Sequence, residues 1–349
     1  MRVVIVGASG NVGTSVLRAL ADERRVESML AVARRLPDQR IGGAEWAAAD
    51  IGSDDLVPLL QGADAVIDLA WLFQPTRDPA LTWRKNVLGG IRLFQAVAQA
   101  QVPKLVYASS VGAYSPRPNN HRVDESWPTH GWPTASYSRE KAYLERVLDA
   151  FEHQHPEVQV VRLRPAFIFK REAATEQRRL FGGPFVPHRL ARPGLIPLVP
   201  HLPALRLQAV HTDDVADAYR LAMVQPVKGA FNIAAEPLID TKTIAELLGA
   251  RTVRMPLTAV RAALATAWRM RLTPASPYLF DLAARLPIMD TSRARNELGW
   301  SPRHGALDAL TAFLEGLRSE SGAPPPPLDP SAGGSFRVRE ITSGVGKRP

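Results

Sequence analysis

A tyrosine and a lysine four residues apart, Tyr137 and Lys141, stand in the stretch Ser136-Tyr137-Ser138-Arg139-Glu140-Lys141-Ala142-Tyr143-Leu144. Side chains at that spacing share one face of a helix. The same face continues to Leu144 and Leu148, so the pair heads an apolar stripe that should pack against the body of the protein. An ammonium on that side needs a partner. Beside a phenol it favours the phenolate and lowers a pKa of about 10, as proton transfer near neutral pH requires. The plain alternative is a core aromatic with a lysine that reaches past it to solvent. The spacing alone does not choose between them. Ser110 is the third candidate. It follows Val106-Tyr107-Ala108-Ser109, an apolar run whose end could hold a substrate oxygen near the phenol.

These residues need a scaffold, and the apolar pattern supplies one. Strands are predicted over 2–6, 29–33, 64–69, 104–108 and 159–163, with helices over 13–21 and 86–100. Strands alternating with helices argue for a parallel sheet covered on both faces. Ser110 then lies at the carboxyl edge of the sheet, where such folds bind ligands. From about Arg164 the pattern loosens, with Pro184, Pro187, Pro193, Pro197, Pro200 and Pro203 in quick succession. A helix over 211–224 and a strand over 231–234 return the chain to the sheet. Residues 241–286 read as mainly helical. The acidic pair Asp213–Asp214 reads as a helix cap.

Gly7-Ala8-Ser9-Gly10-Asn11-Val12-Gly13 joins the first strand to the first helix. Glycines there let the backbone turn tightly and approach a pyrophosphate at the helix N-terminus. The placement between strand and helix makes dinucleotide binding the reading, against a merely structural turn. The second strand ends Ala33-Arg34-Arg35. An acid at its end would accept both adenosine ribose hydroxyls and select NAD. Ala33 followed by two guanidiniums favours a 2′-phosphate instead, so NADP is the preferred cofactor and NAD the other option.

Composition narrows the remaining classes. The 349 residues, 46% hydrophobic, suffice for a sizeable core and about two domains. There is no cysteine, hence no disulfide, thiolate nucleophile or cysteine metal site. The eight histidines show no paired-ligand spacing, and no metal is expected. The net charge is +9, but 36 of the 43 basic residues are arginines scattered along the chain. No basic helix or aromatic-lined groove marks nucleic acid as a partner. No run is long enough to span a bilayer and no signal-peptide core precedes the first strand, so a cytoplasmic location is expected. After Arg318 the sequence turns to Ala-Pro-Pro-Pro-Pro-Leu-Asp-Pro-Ser-Ala-Gly-Gly, which reads as a disordered, dispensable tail.

Taken together, these motifs resemble the extended short-chain dehydrogenase/reductases of the NAD-dependent epimerase/dehydratase group. The resemblance covers about residues 1–318. GASGNVG is similar to the family's GxxGxxG, VYASSVGAY to its serine strand end and YSREK to its YxxxK. RKNVLGG resembles its NVxGT segment with Gly90 in place of Thr, and LRPAFIF, VHTDDVADA and ELGWSPR match later landmarks. The resemblance implies a Rossmann-type doubly wound parallel sheet with a smaller, mostly helical C-terminal substrate domain. It implies that Tyr137 transfers the proton, that Ser110 polarises the oxygen, and that Lys141 binds the nicotinamide ribose and lowers the Tyr137 pKa. It places cofactor contacts at Gly7, Ser9, Gly10, Asn11, Val12, Gly13, Arg34, Arg35, Asp50, Ile51, Leu69, Ala70, Asn86 and Pro165, besides Tyr137 and Lys141. The dinucleotide unit is expected over 1–165 with 208–236, the substrate unit over 166–207 and 237–318, and the tail over 319–349.

Two departures bear on the substrate. Nucleotide-sugar relatives have Asn three residues after the Arg that follows the sixth strand, where this chain has Phe167. They tend to have Arg four residues before the His of VHTDD, where this chain has Leu207. Trp71-Leu72-Phe73, Trp127 and Trp132 add apolar surface near the site. The expected activity is therefore NAD(P)-dependent hydride transfer at an alcohol or ketone carbon, on a small molecule other than a nucleotide sugar. The alternatives are a nucleotide-sugar 4-epimerase or dehydratase, and a non-catalytic NADP-binding sensor. Intact Ser110, Tyr137 and Lys141 speak against the sensor. A homodimer is left open.

Overall fold

The computed structural model describes residues 1–116, 121–334, 339, 340 and 345. Its centre is built from Arg2–Val6 (β1), Ser28–Ala33 (β2), Glu45–Ala48 (β3), Ala65–Asp68 (β4), Lys104–Ala108 (β5), Gln159–Pro165 (β6) and Gly229–Ile233 (β7). The strand order is β7-β6-β5-β4-β1-β2-β3, and every neighbouring pair is parallel. A parallel sheet is covered on both faces, so its strands run apolar without alternation. Val3, Val4 and Ile5 of β1 and Val66 and Ile67 of β4 are all fully buried. The order reverses at β1, between β4 and β2, which opens a crevice at the carboxyl ends of these strands.

The helices Asn11–Ala21 and Thr212–Val224 pack together on one face, where Val16, Leu17, Leu20, Val215, Tyr219 and Trp300 share a core. The helices Gly89–Gln99 and Ser136–Gln154 cover the other through Leu93, Phe94, Val97, Leu144, Leu148 and Phe151. Leu144 and Leu148 lie on the Tyr137 stripe as the spacing requires, each adding about 1.5–3 kcal/mol by burial. The smaller part of the molecule is mostly helical. It contains Thr241–Leu248, Leu257–Arg269, Pro277–Ala283 and Ala306–Arg318, with a three-stranded sheet of Phe167–Phe169, Arg206–His211 and Ala235–Asp240. No described helix is long and apolar enough to cross a membrane.

Several expectations differ from this structure. β3 carries no strand signal in its sequence, Glu-Trp-Ala-Ala, and exists because β2 offers it a parallel edge. The helix expected from residue 86 begins as a π-helical turn, Trp83–Leu88, before the α-helix Gly89–Gln99. Asp213 and Asp214 do not cap their helix. His211 does so by accepting from the Asp213 N–H. Asp213 instead accepts from Ser15 Oγ at 2.6 Å, and Asp214 accepts from the backbone N–H groups of Arg303 and His304, each at 3.0 Å.

The described part of the tail is packed rather than loose. Leu328 is fully buried, and Arg179 donates to the Pro327 and Asp329 carbonyls, both at 2.6 Å. Low apolar content argued for disorder. Prolines restrict the unfolded chain beforehand, so one buried leucine and two charge-assisted bonds hold the segment. Residues 335–338, 341–344 and 346–349 of the expected tail lie outside the described residues.

Candidate active site

The crevice at the strand reversal is lined by nine of the expected cofactor residues. Gly7, Ser9 and Gly10 form one side and Arg34, Asp50 and Ile51 another, while Leu69, Ala70 and Asn86 lead inward. Gly7 has φ +83°, and a Cβ there would lie 2.7 Å from the Ala70 nitrogen, so only glycine lets the two loops meet. At Gly10 a Cβ would meet nothing closer than the Gly7 carbonyl at 3.5 Å, so this backbone faces open space. Gly10 is also the N-cap of the helix Asn11–Ala21, whose first N–H groups have no helical partner. A backbone cradle ending at a helix N-terminus suits a pyrophosphate, and the residues fit a dinucleotide.

The other expected residues lie around this cleft rather than along it. The Asn11 side chain accepts from Thr212 Oγ1 at 3.2 Å, and its carbonyl accepts from Lys170 Nζ at 2.7 Å. Lys170 also donates to Thr14 Oγ1 at 2.8 Å, which pins the first helical turn from behind. Val12 and Gly13 belong to that turn. Pro165 is buried at the end of β6, and Arg35 is exposed outside the lining. Asn86 holds the loop over the cleft, exchanging two hydrogen bonds with the Leu72 backbone at 2.7 and 2.9 Å and donating to Glu140 at 2.7 Å. Sequence reasoning missed Lys85. It lines the cleft and pairs with Asp50 at 2.7 Å, a contact that no spacing announces because the partners are 35 residues apart.

Ser110 hydrogen-bonds Tyr137, and Tyr137 and Lys141 both meet Trp71, which lines the cleft. Ser110 lies two residues past the end of β5 and caps a short 3-10 turn by accepting from the Gly112 N–H at 2.9 Å. A Cβ on Gly112 would lie 2.8 Å from the Tyr137 ring, so this glycine admits the phenol. Ser138 fixes the start of the helix, donating to the Gly112 carbonyl and accepting from the Trp132 N–H, both at 2.6 Å. Lys141 is buried and donates to the Ala108 carbonyl at 2.6 Å.

The electrostatics differ from the expectation of a lowered phenol. Burial pushes Tyr137 up to about 12, and the Ser110 hydrogen bond only partly offsets this. The Lys141 ammonium does not lie on the phenol. It sits 3.5 Å from the centre of the Trp71 ring. Burial pulls Lys141 below its ordinary value, against the attraction of Asp68, Glu140 and Glu145. Asp68, buried at the end of β4, is pushed up mainly by burial. In this arrangement the Tyr137 phenol keeps its proton at neutral pH. Trp71 meets its ring edge-on at 5.6 Å and Phe73 lies 4.8 Å away, which makes an aromatic wall beside the hydroxyl.

Sequence reasoning also missed a buried charge cluster beneath these groups. Glu145, one turn beyond Lys141, accepts from Arg164 Nε and Nη2, both at 2.9 Å. It accepts further from Arg162 at 3.1 Å and from Ser109 Oγ at 2.5 Å. The cluster ties the Tyr137 helix to β6 and to the strand end that carries Ser110.

Phe167 and Leu207, the two departures, are strand positions of the three-stranded sheet here. Phe167 pairs with Ala209 and packs against two apolar clusters, and Leu207 pairs with Ile239.

Residues 3–234 match the family described as NAD dependent epimerase/dehydratase family. A UDP-glucose 4-epimerase of Mycolicibacterium smegmatis is 26% identical over 341 residues, 92% of this chain and 100% of its own length. The UDP-glucose 4-epimerase of Thermotoga maritima, solved with UDP-glucose, shares the fold with a TM-score of 0.68 at 18% identity, covering 91% of this chain and 99% of its own. That of Thermus thermophilus, solved with NAD, gives 0.67 at 21% identity over the same shares. These findings overturn the expectation that the substrate is not a nucleotide sugar, which rested on Phe167 and Leu207.

Proposed function

The chain belongs to the NAD dependent epimerase/dehydratase family, and we propose that it acts on a nucleotide sugar, oxidising a carbinol carbon as a 4-epimerase or dehydratase does. What supports the reading is that the Ser110–Tyr137 pair and Lys141 meet at Trp71, which lines a cleft that fits a dinucleotide. The dinucleotide, NADP in preference to NAD, supplies the hydride acceptor and donor. Tyr137 carries the proton at the substrate oxygen. Ser110, oriented by the Gly112 N–H, hydrogen-bonds the same oxygen. Lys141 is the cation of the site and reaches the ribose side once it leaves the Trp71 face. Trp71 and Phe73 offer the apolar C–H face of a sugar ring a surface to pack on. In this reading residues 1–165 with 208–236 bind the dinucleotide, and 166–207 with 237–318 bind the substrate.

The test is to incubate the protein and cofactor with UDP-glucose, UDP-galactose and dTDP-glucose. The expected result is interconversion of epimers, or a keto product, without net accumulation of reduced cofactor. Failure to bind or convert any of them would sink the nucleotide-sugar reading.

The cofactor preference has its own test. Arg34 lines the cleft, and the buried Ala33 stands where an acid at the end of β2 would select NAD. NADPH is expected to bind about tenfold or more tightly than NADH, equivalent to ~1.4 kcal/mol. Replacing Arg34 and Arg35 together by Ala should erase most of that gap and barely change NADH affinity, as measured by titration calorimetry. Equal wild-type affinities would show that neither guanidinium reaches the 2′ position.

A further inference from the structure

Beyond the helix Ala306–Arg318 the chain turns back along the segment Ala174–Gly182. Thr175 Oγ1 donates to the Ser321 carbonyl at 2.7 Å. Arg179 then holds the carbonyls of Pro327 and Asp329 on its two terminal nitrogens, both at 2.6 Å. The intervening residues close on themselves. The Ala323 N–H donates to the Leu328 carbonyl at 3.0 Å and the Leu328 N–H to the Pro325 carbonyl at 2.8 Å, with Leu328 fully buried beneath. A Cβ on Gly322 would lie 2.4 Å from the Leu328 carbonyl, so the loop is tightly drawn. This fold-back reaches the site. Pro327 lines the same cleft as Gly7, Gly10 and Asp50, more than 270 residues away in sequence.

We propose that residues 319–330 are a strap that completes the dinucleotide site and slows the departure of the cofactor. The proposal rests on the dinucleotide reading of the cleft. A ligand lying along the glycine turn has Pro327 as part of its wall, and Arg179 holds that wall through its two carbonyls. Proline fits the role because it presents a rigid apolar ring and no N–H that would compete for a phosphate. Slow release suits redox-neutral chemistry, in which the hydride taken from the substrate is returned to it and the cofactor need not exchange between turnovers. A dehydrogenase that must trade cofactor at every cycle gains nothing from such a strap.

The experiment follows release of bound NADPH or NADH by fluorescence after mixing with excess unlabelled competitor. It compares the full chain, a chain ending at Arg318 and the full-length variant Arg179→Ala. Losing two carbonyl hydrogen bonds is expected to speed release about tenfold in both variants with little change in association rate. If the shortened chain does not fold, Arg179→Ala decides alone. Release at the wild-type rate from folded Arg179→Ala, even with a lowered melting temperature, would make the segment a structural brace and overturn the strap. If the intact chain binds neither dinucleotide, the cofactor reading of the cleft falls first, and that outcome is read before any rate is compared.

Discussion

Tyr137→Phe is expected to lower turnover by a factor on the order of 10² or more while folding and dinucleotide affinity stay near wild type. The ring packs between Gly112 and the aromatic pair Trp71 and Phe73, and phenylalanine preserves all of these contacts. Only the hydroxyl is lost, with its bond to Ser110. That hydroxyl is the group that moves the proton in the proposed reaction. The measurement is steady-state conversion of whichever nucleotide sugar proves active, with calorimetric cofactor binding and a melting curve as controls. Turnover near wild type in the variant would remove Tyr137 from the chemistry. The raised pKa sets the sign of one further observable. A phenol held near 12 stays protonated through neutral pH, so the donating direction should show no loss of rate from Tyr137 ionisation below about pH 10.

Glu145→Ala should destabilise the protein by roughly 3–5 kcal/mol, because it leaves the buried Arg164 guanidinium without its carboxylate, while Arg162 keeps Asp149 and Glu152. Both Arg162 and Arg164 are almost wholly buried and share this carboxylate. Burial alone would push the Glu145 carboxyl up. The hydrogen bonds from Arg164 and Ser109 and the charges of Arg164 and Arg162 outweigh it and hold the carboxyl at about 2. A depressed folded pKa contributes stability that is present above the unfolded value of about 4.5 and lost as pH falls toward 2, on the order of 3 kcal/mol for this gap. Urea unfolding followed by circular dichroism tests both statements. The wild type should weaken steeply below about pH 4.5, and Glu145→Gln should lose much of that slope. An alanine variant within about 1 kcal/mol of wild type would mean that the cluster is not the brace described.

The helix face shared by Tyr137 and Lys141 was legible because its signal is local. Tyr137, Lys141, Leu144 and Leu148 are related by one helical period, and the structure buries Lys141, Leu144 and Leu148 and half-buries Tyr137. Gly7, Gly10 and Gly13 were legible because a strand and a helix flank them in the chain itself. The substrate reading failed where it took type for role. Phe167 and Leu207 sit in a small three-stranded sheet, Phe167 also against two apolar clusters, a placement visible only once their strand partners Ala209 and Ile239 are in place.

The sequence by itself determined the parallel sheet, the glycine turn and the shared face of Tyr137 and Lys141, since each depends on residues within about one element of one another. Tertiary structure decided which charges meet. Glu145 finds Arg162 and Arg164 through the packing of a helix on β6, and Lys85 finds Asp50 across 35 residues. It decided that Lys141 rests on Trp71 rather than on the phenol, and that Pro327 returns to the cleft opened by Gly7. The physical reason is that periodicity fixes only the direction in which a side chain leaves its own element. What it meets there depends on how distant elements pack, and a buried charge is stable only where that packing brings it a partner.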